Sequence, residues 1–227
     1  MAIERSSERP NAHKEDVDPR PSYDEKLLGI LRASAAVFAD KGYDRASIRD
    51  IAQATGVSLS GLYYYVSSKE ELLFLIQDHC FGTLHHRLEE LLVEVTDPGE
   101  RVRVFIRNHL RFFLANQAEM KVLSHEADAL SGEFAEQILR RKRSYARAAQ
   151  EILEGIAPPD AVESRTATFA LFGMMNWIYT WHREDVDPGA DALSERITHL
   201  FLNGYLTPPP PERPGVTDGS APSIWRS

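Results

Sequence analysis

A short segment between residues 58 and 69 carries side chains of the types that contact nucleic acids. A predicted helix at 59–65, with its cap, turns small or phenolic residues outward: Ser58, Ser60, Gly61, Tyr63 and Tyr64. Small hydroxyls and a glycine permit close approach to a groove, and tyrosines can reach phosphates and base edges. Lys69 stands at the start of the next helix, where a cation and free amides can meet a phosphate. The pattern predicts a DNA-contacting surface.

Two preceding helices must hold this surface in place. A helix at 24–41 has one apolar stripe, and a short helix at 47–55 carries Ile48, Ile51 and Ala52 at helical spacing. Gly42 and Gly56 lie where these two helices should end. Two short helices joined by a tight turn that contains glycine form a helix-turn-helix. The sequence predicts this motif between residues 47 and 65.

A second set of polar residues lies among apolar helices farther along the chain. His109 is either a polar point in an apolar pocket or a satisfied core histidine. Asn176 requires a partner, which is either a ligand carbonyl or a backbone group across a dimer. Three arginines of a helix at 132–156 either meet the phosphates of a ligand or form a solvated face: Arg140, Arg143 and Arg147.

Patterns of catalysis and metal binding are missing from the sequence. There is no Gly-rich phosphate loop, no Gly-x-Ser-x-Gly elbow and no His-Glu-x-x-His pair. The single cysteine, Cys80, lies in an apolar helical run and is best interpreted as a small buried hydrophobe. Its convergence with His79 and His125 on a metal is the alternative. We expect neither an enzyme nor a protein that needs a metal or a cofactor.

Composition and periodicity together favour an all-α protein, which we expect to be cytoplasmic and without membrane contact. The 227 residues carry 26 Lys and Arg against 34 Asp and Glu, a net charge of −8, so only a local face is expected to meet DNA. The sequence contains neither an 18-residue apolar run nor a secretory h-region. Periodicity predicts about nine helices, near 24–41, 47–55, 59–65, 69–95, 98–117, 119–127, 132–156, 160–184 and 189–206.

Four segments follow from these patterns. Residues 23–68 form the predicted helix-turn-helix domain, and 69–206 form a helical ligand-binding and dimerisation domain. Residues 1–22 and 207–227 are polar and proline-containing, so we expect disordered tails.

The run from residue 47 to residue 73, SIRDIAQATGVSLSGLYYYVSSKEELL, resembles the TetR/AcrR family of transcriptional regulators. The resemblance implies that eight residues face DNA: Ser47, Arg49, Ser58, Ser60, Gly61, Tyr63, Tyr64 and Lys69. Tyr63 as a core aromatic and Arg49 as a solvated charge are the alternatives. The pairs Ser60-Gly61 and Tyr65-Val66 differ from the family pattern, which bears on the operator sequence rather than on the fold.

The resemblance also implies a repressor that binds a palindromic double-stranded operator as a homodimer, through its last two helices, and is released by an effector. The stretch 173–183 is similar to family members that respond to acyl-coenzyme A and control lipid or aromatic-acid catabolism. It adds Asn176, Trp177 and Trp181 to the expected ligand residues. A regulator of efflux that senses apolar or cationic compounds is the alternative, and the charge of the ligand distinguishes the two.

Overall fold

The computed structural model describes residues 23–126, 128–158 and 162–207. The predicted tail at 1–22, and all of the predicted tail at 207–227 except residue 207, therefore lie outside the described residues. All regular structure in the described part is helical, which confirms the all-α fold class. Nine α-helices and one 3-10 turn follow in this order: α1 Tyr23–Lys41, α2 Ile48–Thr55, α3 Leu59–Tyr65, α4 Lys69–Leu92, α5 Pro98–Ala115, α6 Gln117–His125, α7 Gly132–Glu154, α8 Ser164–Asn176, the 3-10 turn Trp177–Thr180 and α9 Ala190–Tyr205. None of these described helices has the length and apolar character needed to cross a membrane.

Capping side chains set the boundaries of the two short N-terminal helices. The Ser47 hydroxyl accepts a hydrogen bond from the Asp50 amide at 3.2 Å, and the Asp50 carboxylate accepts one from the Ser47 amide at 2.8 Å. Gly56 ends α2 with φ 68°, a left-handed conformation that costs glycine little. Ser58 then caps α3 by accepting from the Gly61 amide. The predicted helix-turn-helix is therefore present, with residues 56–58 as its turn.

The caps of the next two helices also follow the sequence, with one change. Ser68 caps α4 by accepting from the Glu71 amide at 3.0 Å. The Glu71 carboxylate accepts from the Ser67 amide at 2.6 Å, so the capping box is shared between two serines. Asp97 caps α5 through the Glu100 amide at 2.7 Å, ahead of a proline at the first helical position.

A continuous apolar core joins the N-terminal helices to the helical body. Phe38, Ile51 and Leu62 are buried where α1, α2 and α3 meet, and Leu73 and Phe105 continue the same core through α4 and α5. In the body, α5 packs along α9, α4 along α7, and α7 against α8. Helix α1 also packs against α4 and α6. A movement of α4 or α6 can therefore reach α1 through packed side chains.

Several predicted helices are too long at their C-terminal ends. The segment 160–184 is an α-helix only from 164 to 176, because the chain then tightens into the 3-10 turn. There the Thr180 hydroxyl donates to the Trp177 carbonyl at 2.7 Å, which satisfies a group that a continued α-helix would use. The helix predicted at 69–95 ends at Leu92, and the one predicted at 132–156 ends at Glu154.

Candidate DNA-contact surface and ligand cavity

The tyrosines of α3 form the most exposed aromatic surface of the N-terminal domain. The side chains of Tyr63 and Tyr64 are 55% and 73% exposed, whereas Leu62 beside them is buried in the core. Contiguous exposed apolar groups on a surface often mark an interaction site. The geometry agrees with the outward orientation predicted for both tyrosines.

An aromatic cluster that sequence reasoning missed supports this surface. The Tyr23 ring, at the start of α1, stacks on Tyr65 with 4.9 Å between centroids and meets Tyr64 edge-on at 6.0 Å. Contacts of this kind contribute about 0.5–1.5 kcal/mol beyond the buried area. They tie the end of α3 to the start of α1 and so restrict the direction of the α3 surface. Residues 23 and 65 are far apart in sequence, and no local pattern indicates that they meet.

The small residues in and before α3 cap the helix and allow close packing, besides lying at the surface. The Ser58 hydroxyl bonds both the Gly61 amide and the Ser60 hydroxyl, each at 3.1 Å. A Cβ added to Gly61 would lie 2.8 Å from a methyl carbon of Val57. Glycine at position 61 is therefore required by close packing inside the motif, while Ser60 stays exposed at the surface. Arg49 of α2 is exposed. The hydroxyl of Ser47, which caps α2, already accepts a hydrogen bond from the Asp50 amide.

The structure gives Lys69 a different contact from the predicted phosphate. Its ammonium donates to the carbonyls of Tyr43, Asp44 and Ala46 at 2.8, 3.3 and 3.1 Å, and it lies 4.3 Å from the centre of the Tyr43 ring. An ammonium has three protons to donate, and three carbonyls receive them. Lys69 therefore fastens the start of α4 to the loop between α1 and α2.

Helices α4 to α8 enclose a cavity of about 320 Å³. Each of the five helices contributes three side chains to its wall: Cys80, Phe81, Leu84, His109, Phe112, Phe113, Met120, Leu123, Ser124, Lys142, Tyr145, Ala146, Phe169, Phe172 and Asn176. Five phenylalanines and a tyrosine make the wall aromatic, with few polar groups. A concave, mostly apolar cavity with a few convergent polar groups is typical of a small-molecule site.

His109 lies at the centre of a hydrogen-bonded relay in this wall. Its Nε2 is 3.0 Å from Asn176 Oδ1, and its Nδ1 is 3.2 Å from the Tyr145 hydroxyl. Because a carbonyl oxygen only accepts, Nε2 carries the proton and Nδ1 accepts from the tyrosine. Burial lowers the pKa of His109 to about 3 and raises the pKa of Tyr145, so both groups are neutral at pH 7. The relay leaves the amide NH₂ of Asn176 free to donate to a ligand.

Lys142 is the charged side chain of the cavity wall, and sequence reasoning missed it. It lies on the stripe of α7 that also carries Ile138 and Tyr145, four residues before and three after it. Its ammonium lies 6.0 Å from the centre of the Phe81 ring, and burial lowers its pKa. The position of Lys142 relative to Ile138 was available as a signal, because residues four apart share one helix face.

Two of the seven expected ligand residues, His109 and Asn176, line the cavity. The other five lie outside its wall: Arg140, Arg143, Arg147, Trp177 and Trp181. The arginines are exposed because they lie on the solvent side of α7, and Arg140 pairs with Glu136 at 3.7 Å. The two indoles are turned outward by the 3-10 turn that ends α8, with Trp177 63% exposed.

Groups typical of a reactive or metal site are not assembled near the cavity. Burial raises the pKa of Cys80 to about 12, so its thiol is protonated and a poor nucleophile at neutral pH. In the described part of the chain, no three His, Cys, Asp or Glu side chains are grouped to hold a metal ion.

Two family models match the chain, one in each predicted domain. The model of bacterial regulatory proteins of the tetR family matches residues 30–76, and a tetracyclin repressor-like C-terminal domain matches residues 95–205. A TetR-family transcriptional regulator from Bordetella parapertussis 12822 is 30% identical, with a TM-score of 0.73 over 81% of this chain and 97% of that one. This chain belongs to the TetR family of transcriptional regulators. TetR-family proteins are DNA-binding, so the resemblance found in the sequence is confirmed.

Relatives of this TetR-family chain include regulators of different processes. The crystal structure of AibR in complex with isovaleryl coenzyme A and operator DNA is 25% identical, with a TM-score of 0.69 over 80% of this chain and 100% of that one. The fatty acid metabolism regulator protein of Bacillus subtilis is 26% identical over 79% of this chain and 95% of its own length. The probable acrEF/envCD operon repressor of Escherichia coli K12 is 22% identical over 76% of this chain and 85% of its own length.

In this TetR-family chain, α6 touches both the cavity and the N-terminal domain. Met120, Leu123 and Ser124 form its part of the cavity wall. At its C-terminal end, the Glu126 carboxylate accepts a hydrogen bond from the Tyr43 amide at 3.0 Å. The loop between α1 and α2 is thus held by α6 on one side and by the start of α4 on the other.

Proposed function

We propose that the chain is a ligand-responsive repressor that binds a palindromic operator as a homodimer and is released by an effector. The effector is an acyl-coenzyme A or another large apolar acid, and the controlled genes serve lipid or aromatic-acid catabolism. The observation that carries the proposal is α6, which supplies both a wall of the cavity and the contact to the loop beside the helix-turn-helix.

The exposed face of α3 supports major-groove binding. The α3 side chains proposed to reach bases and phosphates are Tyr63, Tyr64 and Ser60. Arg49 of α2 is proposed to contact the phosphate backbone of the DNA. A seven-residue recognition helix buries little area, so a specific site requires two copies at the spacing of a palindrome. Ser47 and Ser58 act chiefly as caps, and their free lone pairs are secondary candidates.

The outer face of α8 and α9 supports a homodimer. Met174 of α8, Trp177 of the following 3-10 turn and Leu200 of α9 are large exposed apolar side chains, and Leu200 is 66% exposed. Exposed apolar groups that cluster on adjacent helices are typical of a protein interface. We assign Trp177 and Trp181 to this face or its rim rather than to the effector.

The cavity favours an apolar ligand that is neutral or anionic. The described residues of its wall include one cation, Lys142, and no carboxylate. Glu126 and Asp128 carry carboxylates that a cationic drug could pair with, but they do not line the cavity, and Glu126 is bound to the Tyr43 amide. This arrangement favours the acid over the efflux alternative. The exposed arginines Arg140, Arg143 and Arg147 remain candidates for phosphates outside the cavity.

Occupancy of the cavity can reach the DNA-binding domain through α6 and α4. A ligand that separates Met120 or Leu123 from the opposite wall would shift α6, and Glu126 would pull on the loop at Tyr43. Lys69 joins that loop to α4, so the shift would alter the direction of α4 and the distance between the two recognition helices. An effector acts this way only if its affinity differs between the two states.

The proposal is tested by combining a thermal shift with an electrophoretic shift on DNA upstream of the gene. The panel contains acyl-coenzyme A thioesters, free fatty and aromatic acids, and cationic dyes. Ligands that bind only the folded state raise the melting temperature. We expect an acid or thioester to raise it and to release the DNA. A response to cationic dyes alone would favour the efflux regulator, and failure to bind any upstream DNA would contradict the repressor.

A further inference from the structure

A lysine facing an aromatic cavity is an unusual feature of this protein. Of the basic residues near the middle of α7, Arg140 and Arg143 face solvent, whereas Lys142 lines the cavity. The side chain of Lys142 is partly buried, and lysine is among the residues least often buried without a partner. Its partial burial beside aromatic rings therefore calls for an explanation in its contacts.

The contacts of Lys142 do not supply that explanation. Arg141, the neighbouring residue, pairs with Asp78 at 2.8 Å, whereas Lys142 has no hydrogen-bond or ion-pair partner among the described residues. The closest compensation is the Phe81 ring at 6.0 Å, the outer limit of a cation–π contact. The Asp128 carboxylate acts on Lys142 through space, yet burial still lowers the pKa of the amine. The described side chains thus compensate the cation incompletely.

The remaining wall indicates what would complete the site. Phe113 and Phe172 belong to the aromatic lining, and the neutral relay of His109 and Asn176 provides hydrogen bonds without charge. At about 320 Å³ the cavity lies at the small end of ligand sites, which span ~300–1,000 Å³. It has room for an alkyl or aryl group with one polar end, while a coenzyme A nucleotide would have to lie outside.

We infer that Lys142 binds the anionic group of the effector, whose apolar part packs among the phenylalanine rings of the cavity. This inference rests on the proposed function and narrows it, because a neutral or cationic ligand would leave the amine unpaired. Two sources of the anion share this chemistry: the carboxylate of a free acid held inside the cavity, and the phosphates of a thioester held at its mouth.

The test is calorimetric titration of the full-length protein and three variants. The ligands are decanoate, 4-phenylbutyrate, methyl decanoate, decyltrimethylammonium and decanoyl-coenzyme A. Lys142→Met removes the charge at similar volume, Lys142→Arg keeps the charge, and Lys121→Met removes the charge of an exposed lysine outside the cavity wall as the matched control. We expect at least one anion to bind, with a loss of roughly tenfold to a hundredfold in Lys142→Met. Lys142→Arg should recover most of the affinity, and Lys121→Met should bind like the wild type.

The outcomes separate this inference from the proposed function. Loss of decanoate or phenylbutyrate binding in Lys142→Met identifies a carboxylate as the anion, and loss confined to decanoyl-coenzyme A identifies its phosphates. Equal binding of methyl decanoate and decanoate, or anion binding that survives Lys142→Met, overturns the role of Lys142 and leaves an effector-binding repressor standing. If no anion binds the wild type, both the role of Lys142 and the proposed acidic effector fall.

Discussion

The DNA-contact surface and the ligand cavity are built in opposite ways. The surface belongs to one seven-residue helix whose start is set by the Ser58 cap and whose small residue Gly61 fits against the preceding turn. The cavity takes its wall from five helices, with residues as distant in sequence as Cys80 and Asn176. The difference shows that local bonds specify the DNA-contact surface, whereas helix packing across the whole body specifies the cavity.

The first way to separate the two regions is a reciprocal pair of substitutions. Tyr64→Ala should weaken operator binding by about 1–3 kcal/mol per half-site, because it removes an exposed contact from α3. Phe113→Ala should weaken effector binding instead, because its ring stacks on His109 with 4.1 Å between centroids. Fluorescence anisotropy with operator DNA and calorimetry with the effector measure both. Wild-type operator affinity in Tyr64→Ala would remove that residue from the surface.

A smaller effect is expected where α4 meets the N-terminal domain. Lys69→Met removes bonds to three carbonyls and should lower the free energy of unfolding by about 1–3 kcal/mol, with weaker operator binding and an intact dimer. Urea unfolding without DNA measures the first effect, and sedimentation measures the dimer. Lys121→Met, at an exposed position of α6, is the matched control.

The salt dependence of operator binding distinguishes the two roles considered for Lys69. The logarithm of the binding constant falls as the logarithm of the salt concentration rises. A phosphate contact in each subunit would make this slope steeper by about 0.9 per subunit. We expect the slope to stay unchanged in Lys69→Met while stability falls. Unchanged stability with a shallower slope would restore the phosphate contact predicted from the sequence.

The sequence predicts more of the first region than of the second because of how each is held together. The caps at Ser47 and Asp97 act within three residues, so residue types alone indicate them. The wall of the cavity depends on which sides of α7 and α8 meet other helices. Lys142 was missed and Arg143 was proposed because the arginines of α7 were chosen by their charge and not by the helix face they occupy, although a helix turns by about 100° per residue. Likewise, no proline or glycine marks the change from α-helix to 3-10 turn after Asn176.

A pH-dependent effect is expected in the cavity. The folded pKa of His109 is about 3 and its ordinary value is 6.5, so the folded state resists a proton that the unfolded chain accepts. Stability is therefore complete above pH 6.5 and declines as the pH falls toward 3. The loss from this group between ~pH 6.5 and ~5.5 is about 1 kcal/mol. His109→Gln should remove that part of the decline in urea unfolding at fixed protein concentration. An equal decline in wild type and variant would contradict a neutral buried imidazole.

The last expected effect concerns the contact that joins the two regions. Glu126→Ala removes the acceptor of the Tyr43 amide, leaving the cavity wall and α3 intact. The coupling between effector and operator should fall by about 0.5–2 kcal/mol, although each binds its own site with nearly wild-type affinity. The measurement is the effector dissociation constant with and without operator, since their ratio gives the coupling free energy.

Lys121→Ala, on the same helix and exposed, controls for a general effect on α6. Because coupling is reciprocal, the ratio of operator dissociation constants with and without effector must change by the same factor. Coupling that is unaltered in Glu126→Ala would mean that the cavity acts on α3 through the packing of α4 against α1 alone. A loss in both variants would mean that the whole of α6 transmits the change, with no special part for the contact at Tyr43.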